Sequence, residues 1–171
     1  DSVLTMREIA VSRLFGRGIE IGAGASPMPI PSTCAVKYVD VLTTDQLDDQ
    51  AYEGQSREDL VIPDITASFE DLSPVADNSI DFVVACHVIE HTRDPIGSIV
   101  GAWKKLRPGG SLVLVVPEMS RTFDKSRALT EIDHLVEDYQ IQDPLRLRDL
   151  QHFKEFYSKA FPTPPESFEA T

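Results

Sequence analysis

Two short apolar runs constrain this chain more than anything else in it: residues 80–85, with Ile80, Phe82, Val83, Val84 and Ala85, and residues 112–116, from Leu112 to Val116. Runs that are apolar at consecutive positions and rich in β-branched residues suit strands buried on both faces, so both belong at or near the centre of a sheet. Between them, residues 96–106 place Ile96, Ile99, Val100, Trp103 and Leu106 on one helical stripe, and basic Lys104, Lys105 and Arg107 sit at its end. That segment reads as a crossover helix. Pro108-Gly109-Gly110 is expected to stop it and to return the chain into the fifth strand, because proline breaks the helical ladder and glycine permits the sharp reversal. Three earlier runs, 18–21, 36–39 and 59–62, complete five strands alternating with helix-compatible segments, which predicts an α/β domain with a parallel sheet covered by helices on both faces. At 171 residues, 42% of them hydrophobic and 26% charged, the chain is long enough to bury one proper core.

The first strand ends in Glu20-Ile21-Gly22-Ala23-Gly24. Glycine at 22 and 24 can adopt positive φ and lets a ligand approach the backbone. Glu20 puts a carboxylate into a turn of the kind that otherwise offers N–H groups to a phosphate, and there it would repel a pyrophosphate. Asp40, twenty residues on, ends the second run where a nucleotide-binding unit places an acid for the ribose hydroxyls. Asp64 closes the third run and could accept from an adenine amine. Each feature alone has an ordinary explanation, a tight turn or a helix N-cap. Taken together, three acids beside one glycine turn point to an adenosyl ligand with positive charge, which describes S-adenosylmethionine.

The formal net charge of −12 opposes attraction to nucleic acid or an anionic membrane. No apolar stretch is long enough to cross a bilayer and no signal core opens the chain, so a cytoplasmic location is expected. Cys34 and Cys86 lack metal-ligand spacing and read as buried reduced thiols. His87-Val88-Ile89-Glu90-His91 matches the spacing of one zinc-protease motif, but it directly follows a buried strand and precedes Asp94-Pro95, leaving little helix to align two histidines. No metal is expected.

Glu20 to Gly24, Asp40, Asp81-Phe82-Val83-Val84, His87 to His91 and Leu106 to Gly110 together resemble the class I S-adenosylmethionine-dependent methyltransferases, over about residues 14 to 118. The resemblance, which extends to the type 11 methyltransferases, implies a Rossmann-like three-layer sandwich with a mostly parallel sheet of order 3-2-1-4-5. It implies that Glu20, Gly22, Ala23 and Gly24 line the methionine end of the cofactor, that Asp40 and Val41 hold the ribose, and that Asp64 and Ile65 frame the adenine. Cys86 and His87 would face the methyl-transfer cleft, with S-adenosylhomocysteine as product. The segments 122–127, 134–139 and 152–155 are similar to those of bacterial methyltransferases that accompany surface-polysaccharide glycosyltransferases. Two departures stand out. Ser26 and Pro27 replace the third glycine common in the family, which leaves the start of the first crossover helix open, with prolines to residue 31 delaying or shortening it. No sequence after Pro117 reads as the family's sixth and seventh strands, and the chain begins at Asp1, so a truncated form is expected. An unpaired fifth strand would invite a second copy of the chain or cover from C-terminal helices. The organisation expected is one domain over 1–160, helical from about 120, and a Pro-rich tail over 161–171.

Methyl transfer from a sulfonium needs alignment more than a nucleophile, and a base only where the acceptor carries a proton. His87, His91 and His134 are candidates for that base, each with a structural hydrogen bond as the plainer alternative. Asp124, Arg127, His134 and Asp138 are candidates for contacting a small-molecule or sugar-type acceptor. Glu131, His134 and Asp138 would share a helical face, opposite a core-seeking stripe of Leu129, Ile132, Leu135, Val136 and Tyr139. Arg121, Lys125 and Arg127 could orient an anionic group or pair with nearby acids. Two rival readings remain: an NAD(P)-dependent oxidoreductase, disfavoured by Glu20 and by Pro27 at the third glycine position, and a cofactor-binding scaffold without turnover.

Overall fold

A computed structural model describes residues 5–43, 46–47, 60–122, 125, 127–141 and 154. The chain divides into two compact units, Asp1–Val116 and Pro117–Thr171. In the first, helix α1 (Met6–Val11) precedes strands β1 (Arg17–Ile21), β2 (Ala35–Asp40), β3 (Ile65–Thr66) and β4 (Ile80–Cys86), and helix α2 (Pro95–Lys105) leads directly into β5 (Leu106–Val115). The strands form one sheet of order β3-β2-β1-β4-β5, every pair parallel. This is the Rossmann-like order, and it reverses between β1 and β4.

Strand alternation sorts the core into two faces. Ile19, Ile21, Val39, Val83 and Ala85 pack with Ala102 of α2 and with Phe69, Leu72 and Val75 from the connection before β4. Phe82 and Val84, on the other face, pack with Val11 and Leu14 around α1 and with Met28. α1 itself starts at a capping box: the Thr5 hydroxyl accepts from the Glu8 N–H at 3.2 Å, and the Glu8 carboxylate accepts from the Thr5 N–H at 2.6 Å.

The structure corrects several expectations. No helix forms between β1 and β2; residues 25–34 run as an irregular strap. Pro27, Pro29 and Pro31 have no N–H to give to a helical ladder, and the Met28 N–H goes to Glu20 instead. The third strand is displaced from 59–62: residue 59 lies outside the described residues, 60–63 form no strand, and pairing with β2 begins at Ile65. The Val61 N–H goes to the Gly24 carbonyl and Pro63 has none, so the ladder can form only beyond them. The Pro-Gly-Gly stretch does not lie between helix and strand. Leu106 is already extended at φ −71, ψ 140, and residues 107–110 bulge opposite the single Asp81 while Leu106 pairs with Ile80 and Ser111 with Phe82. Asp81 explains the bulge's anchorage, accepting from the Arg17 N–H at 2.9 Å and pairing with Arg107 at 3.1 Å; the backbone donor first and the guanidinium with it hold its pKa low. β5 is an edge strand among the described residues, and its residues 111–115 are half-buried, so only β4 has the central place expected for both.

In the second unit, helix α3 (Ile132–Ile141) follows a short 3-10 turn at Met119–Arg121. Its expected core-seeking stripe is largely solvent-facing: Leu129 and Ile132 are exposed, and only Leu135 and Val136 are half-buried. Leu129 precedes the helix and Ile132 opens it, so neither is held on a packed face. Arg121 pairs with Glu118 at 3.4 Å, and no pairing with Glu131 or Asp133 is seen among the described residues. The tail 161–171 lies outside the described residues.

Candidate active site

Parallel strands deliver their C-terminal ends to one edge of the sheet, and the reversal of strand order between β1 and β4 opens a crevice there. Glu20 lies on β1 opposite Tyr38 of β2 and Val84 of β4, on the face covered by α1 and the strap. Gly22 and Gly24 follow at φ +66 and +52. Only glycine takes this conformation without strain, and a Cβ on Gly22 would come within 2.8 Å of the Val88 side chain, so bare backbone is needed where the ends of β1 and β4 meet. The turn is tied on both sides. The Gly22 N–H donates to the Val39 carbonyl at 2.9 Å, and the Gly24 carbonyl accepts from the Val61 N–H at 2.9 Å.

Glu20 is 1% exposed. Its Oε1 accepts from the Met28 N–H at 2.7 Å, whereas Oε2 is buried with no hydrogen-bond partner. A buried carboxylate oxygen without a donor is costly, and burial pushes the Glu20 pKa up to about 7 against the opposing pull of the Met28 N–H and the Arg7 charge. The same surroundings raise the Tyr38 hydroxyl and the Cys86 thiol, in each case chiefly by burial and further by the Glu20 charge. Oε2 therefore lacks the cation or strong donor that an ionised carboxylate oxygen requires, and an ammonium-bearing cofactor has the chemistry to supply one.

The remaining candidates fall into place around this edge or away from it. Asp40 ends β2; its Oδ1 accepts from the Leu42 N–H at 3.0 Å, and its carbonyl accepts from the Ala67 N–H. Val41, next to it, is exposed. Asp64 is exposed just before β3, with Oδ2 accepting from the Tyr38 N–H at 2.8 Å, so one of its oxygens extends the β2 ladder; Ile65 opens β3. Cys86 closes β4 and, like Cys34, is half-buried rather than buried. His87 adopts φ +56, a strained value for a residue with a side chain, and turns the chain out of β4 into the 3-10 turn Ile89–His91. Its N–H donates to the Val115 carbonyl, and its Nδ1 lies 3.4 Å from a Glu90 oxygen. His91 is exposed. His134 and Asp138 pair at 3.4 Å along α3, and Arg127 is half-buried, all within the second unit. Asp124 and the segment His152-Phe153, along with Glu155, lie outside the described residues.

Arg7 was not singled out in the sequence, and the structure gives it a part in this site. From α1 its guanidinium donates to the carbonyls of Ser26 at 2.6 Å and Pro27 at 3.0 Å, and its Nε approaches the Met28 sulfur at 3.2 Å. Thr5-x-x-Glu8 was the available signal for the helix that carries it. A surface cavity of about 430 Å³, lined by Trp103, Lys104, Arg107 and the bulge, sits at the opposite end of β4 and β5 and gathers none of these groups.

A family model described as methyltransferase domain matches residues 19–114. No curated protein matches the chain significantly. Among solved structures, an S-adenosyl-L-methionine-dependent methyltransferase of Methanococcus maripaludis is similar at 16% identity and a TM-score of 0.50, covering 91% of this chain and 67% of its own. One from Thermotoga maritima is similar at 22% identity and a TM-score of 0.50, covering 79% of this chain and 68% of its own. A third, from Aquifex aeolicus, gives 16% identity and a TM-score of 0.45 over 70% of this chain and 63% of its own. The chain thus spans about two thirds of the length of these structures, and at such identities the likeness bears on fold. The family match covers more than half of the sequence and contains the glycine turn, Asp40 and the β4 end: the chain belongs to the methyltransferase domain family, the class I S-adenosylmethionine-dependent methyltransferases.

Proposed function

We propose that the protein holds S-adenosylmethionine at the C-terminal edge of its sheet and passes the methyl group to a small-molecule or sugar-type acceptor. In this reading Glu20, Gly22, Ala23 and Gly24 take the methionine end, Asp40 and Val41 the ribose, and Asp64 and Ile65 the adenine, with the free Asp64 oxygen left to accept from it. The observation that carries the reading is the partnerless buried Oε2 of Glu20 beside two left-handed glycines. The strap supports it from the other side. A dinucleotide cofactor wants a helix N-terminus after the glycine turn to meet its pyrophosphate, and here an irregular segment follows instead.

When bound, the cofactor supplies an activated methyl group, so the protein's share of the chemistry is placement and exclusion of water. For a hydroxyl acceptor a base is also needed. His87 is our choice: it stands at the end of β4, its turn is fixed by the N–H bond to Val115, and Glu90 orients the ring. The sugar-type acceptor is suggested by the polysaccharide-pathway likeness of segments 122–127 and 134–139.

Calorimetric titration with S-adenosylmethionine, S-adenosylhomocysteine and NADH tests the cofactor, and a screen of nucleotide sugars with methyl-labelled cofactor tests the acceptor. Binding of both adenosyl compounds with label transferred to a sugar is expected. Micromolar NADH binding without adenosylhomocysteine binding would overturn the cofactor reading, and transfer only to non-sugar acceptors would overturn the acceptor class.

A further inference from the structure

Resting on the reading of Glu20 as the cofactor's carboxylate, we propose that Arg7 is a positioning residue for cofactor binding, clamping the strap so that the Met28 N–H fixes one Glu20 oxygen and leaves the other to the ligand.

The geometry is a chain of three links. Arg7 is half-buried on α1 and reaches two successive carbonyls, Ser26 and Pro27, with one terminal nitrogen, while its Nε meets the sulfur of Met28. The planar fork of a guanidinium can hold several acceptors at once, which an ammonium does less well. The strap's own backbone bonds here are local, Ser26 N–H to the Ala23 carbonyl at 3.0 Å and Ile30 N–H to the Met28 carbonyl at 2.7 Å, and Pro27 and Pro29, which flank Met28, have no N–H to tie it to the sheet. Met28 is buried, and its N–H bonds the Glu20 Oε1 at 2.7 Å. Release of the clamp would free that donor to move, and Glu20 would lose the contact that sets the direction of Oε2.

The clamp also biases the charge state of the site toward the ionised carboxylate, against the larger effect of burial and alongside the Met28 N–H. The groups facing Glu20 are Arg7 from α1, Tyr38 from β2 and Cys86 from the end of β4. Tyr38 and Cys86 are both pushed upward and stay neutral around pH 7, which leaves Arg7 as the cation that favours the ionised carboxylate. A cationic ligand binds the ionised form best, so affinity should rise with pH through the Glu20 titration. Loss of Arg7 moves that rise to higher pH.

The test is calorimetric titration of S-adenosylmethionine into wild type, Arg7→Ala and Arg7→Lys from pH 6 to 8.5, with thermal unfolding of each variant alongside. Arg7→Ala is expected to weaken binding at pH 7 by about 10- to 150-fold, the usual reach of a charged hydrogen bond, and to shift the affinity midpoint upward. Arg7→Lys should keep the midpoint near wild type while still losing affinity, because the charge remains and the fork does not. Unchanged affinity in a folded Arg7→Ala, or a loss equal at every pH, would overturn the proposal. Should Arg7→Ala fail to fold, Arg7→Lys with wild-type affinity would overturn it alone. Wild type that binds no adenosyl ligand would instead sink the cofactor reading, and this inference with it.

Discussion

The two faces of the sheet are covered by different kinds of structure, and the difference explains where the chemistry sits. On one face α2 presents Ala102 to Ile19, Ile21, Val39, Val83 and Ala85, and its one buried polar side chain, Ser98, gives its hydroxyl to the Asp94 carbonyl within its own helix. A regular helix arrives with its own backbone hydrogen bonds made, so it asks the sheet for nothing but shape. On the other face a proline-broken strap lies beside α1, and a strap has N–H groups to place. Met28 gives its N–H to Glu20, which is how a carboxylate comes to be tolerated at 1% exposure. One face stabilises the fold, and the other accepts a destabilising group in return for a site.

The most damaging way to probe the first face is Phe69→Ala, which removes a ring that is 3% exposed among the apolar cluster. We expect a loss of about 3–5 kcal/mol in denaturant unfolding, with affinity for the cofactor unchanged in the fraction that stays folded. A large drop in affinity would mean that the faces are not separable. Glu20→Gln probes the second face and should act the opposite way, weakening cofactor binding by about 1–3 kcal/mol while the fold holds. It carries a pH signature as well. An unperturbed glutamate titrates at 4.5 and Glu20 at about 7 in the folded chain, so between those values the folded state keeps a proton that the unfolded state has released. Wild-type stability in the absence of ligand should therefore fall as pH rises from 4.5 to about 7, by on the order of 3 kcal/mol, and level off above. In Glu20→Gln that slope should vanish, and a retained slope would assign it to another group. Smaller still, Gly22→Ala meets both φ +66 and the Val88 side chain. About 1–2 kcal/mol of stability should go, and binding should weaken with it; a neutral effect in both measurements would mean that the turn relaxes freely. The mildest change, Thr5→Ala, removes the α1 cap at a cost of about 1 kcal/mol and would show through melting temperature whether α1 docks as an independent piece.

Much of the helix-covered face could be read in advance. β1, β2, β4 and α2 fall within a residue or two of their apolar patterns, because burial on both faces writes itself into consecutive positions. The strand order came with the family resemblance and not from any run of residues. What escaped the sequence was everything set by partners far along the chain. The third strand slipped past Pro63 because the Val61 N–H is claimed by Gly24. The glycines after α2 looked like a helix stop, whereas Asp81, pinned by Arg17 and Arg107, makes them a bulge. Glu20, Gly22, Gly24 and Asp40 were legible as a group through their spacing. That one Glu20 oxygen would be orphaned was not, since its burial depends on Met28 and Arg7, residues whose relevance only the folded strap reveals. Asp64 showed a related blind spot: it reads as the acid that closes a run at 59–62, yet it stands ahead of β3, and one of its oxygens completes the β2 ladder.

The bulge at 107–110 has a practical consequence. It absorbs surplus length between Leu106 and Ser111 without disturbing the pairing of Phe82 to Cys86 with Ser111 to Val115, and it opens outward around Gly109, which at φ +83 must itself stay glycine. Chain added at that point is spent before the ladder resumes, on the rim remote from the glycine turn. It is accordingly the place to splice in a fluorophore-bearing or affinity peptide when ligand binding has to be watched without being touched.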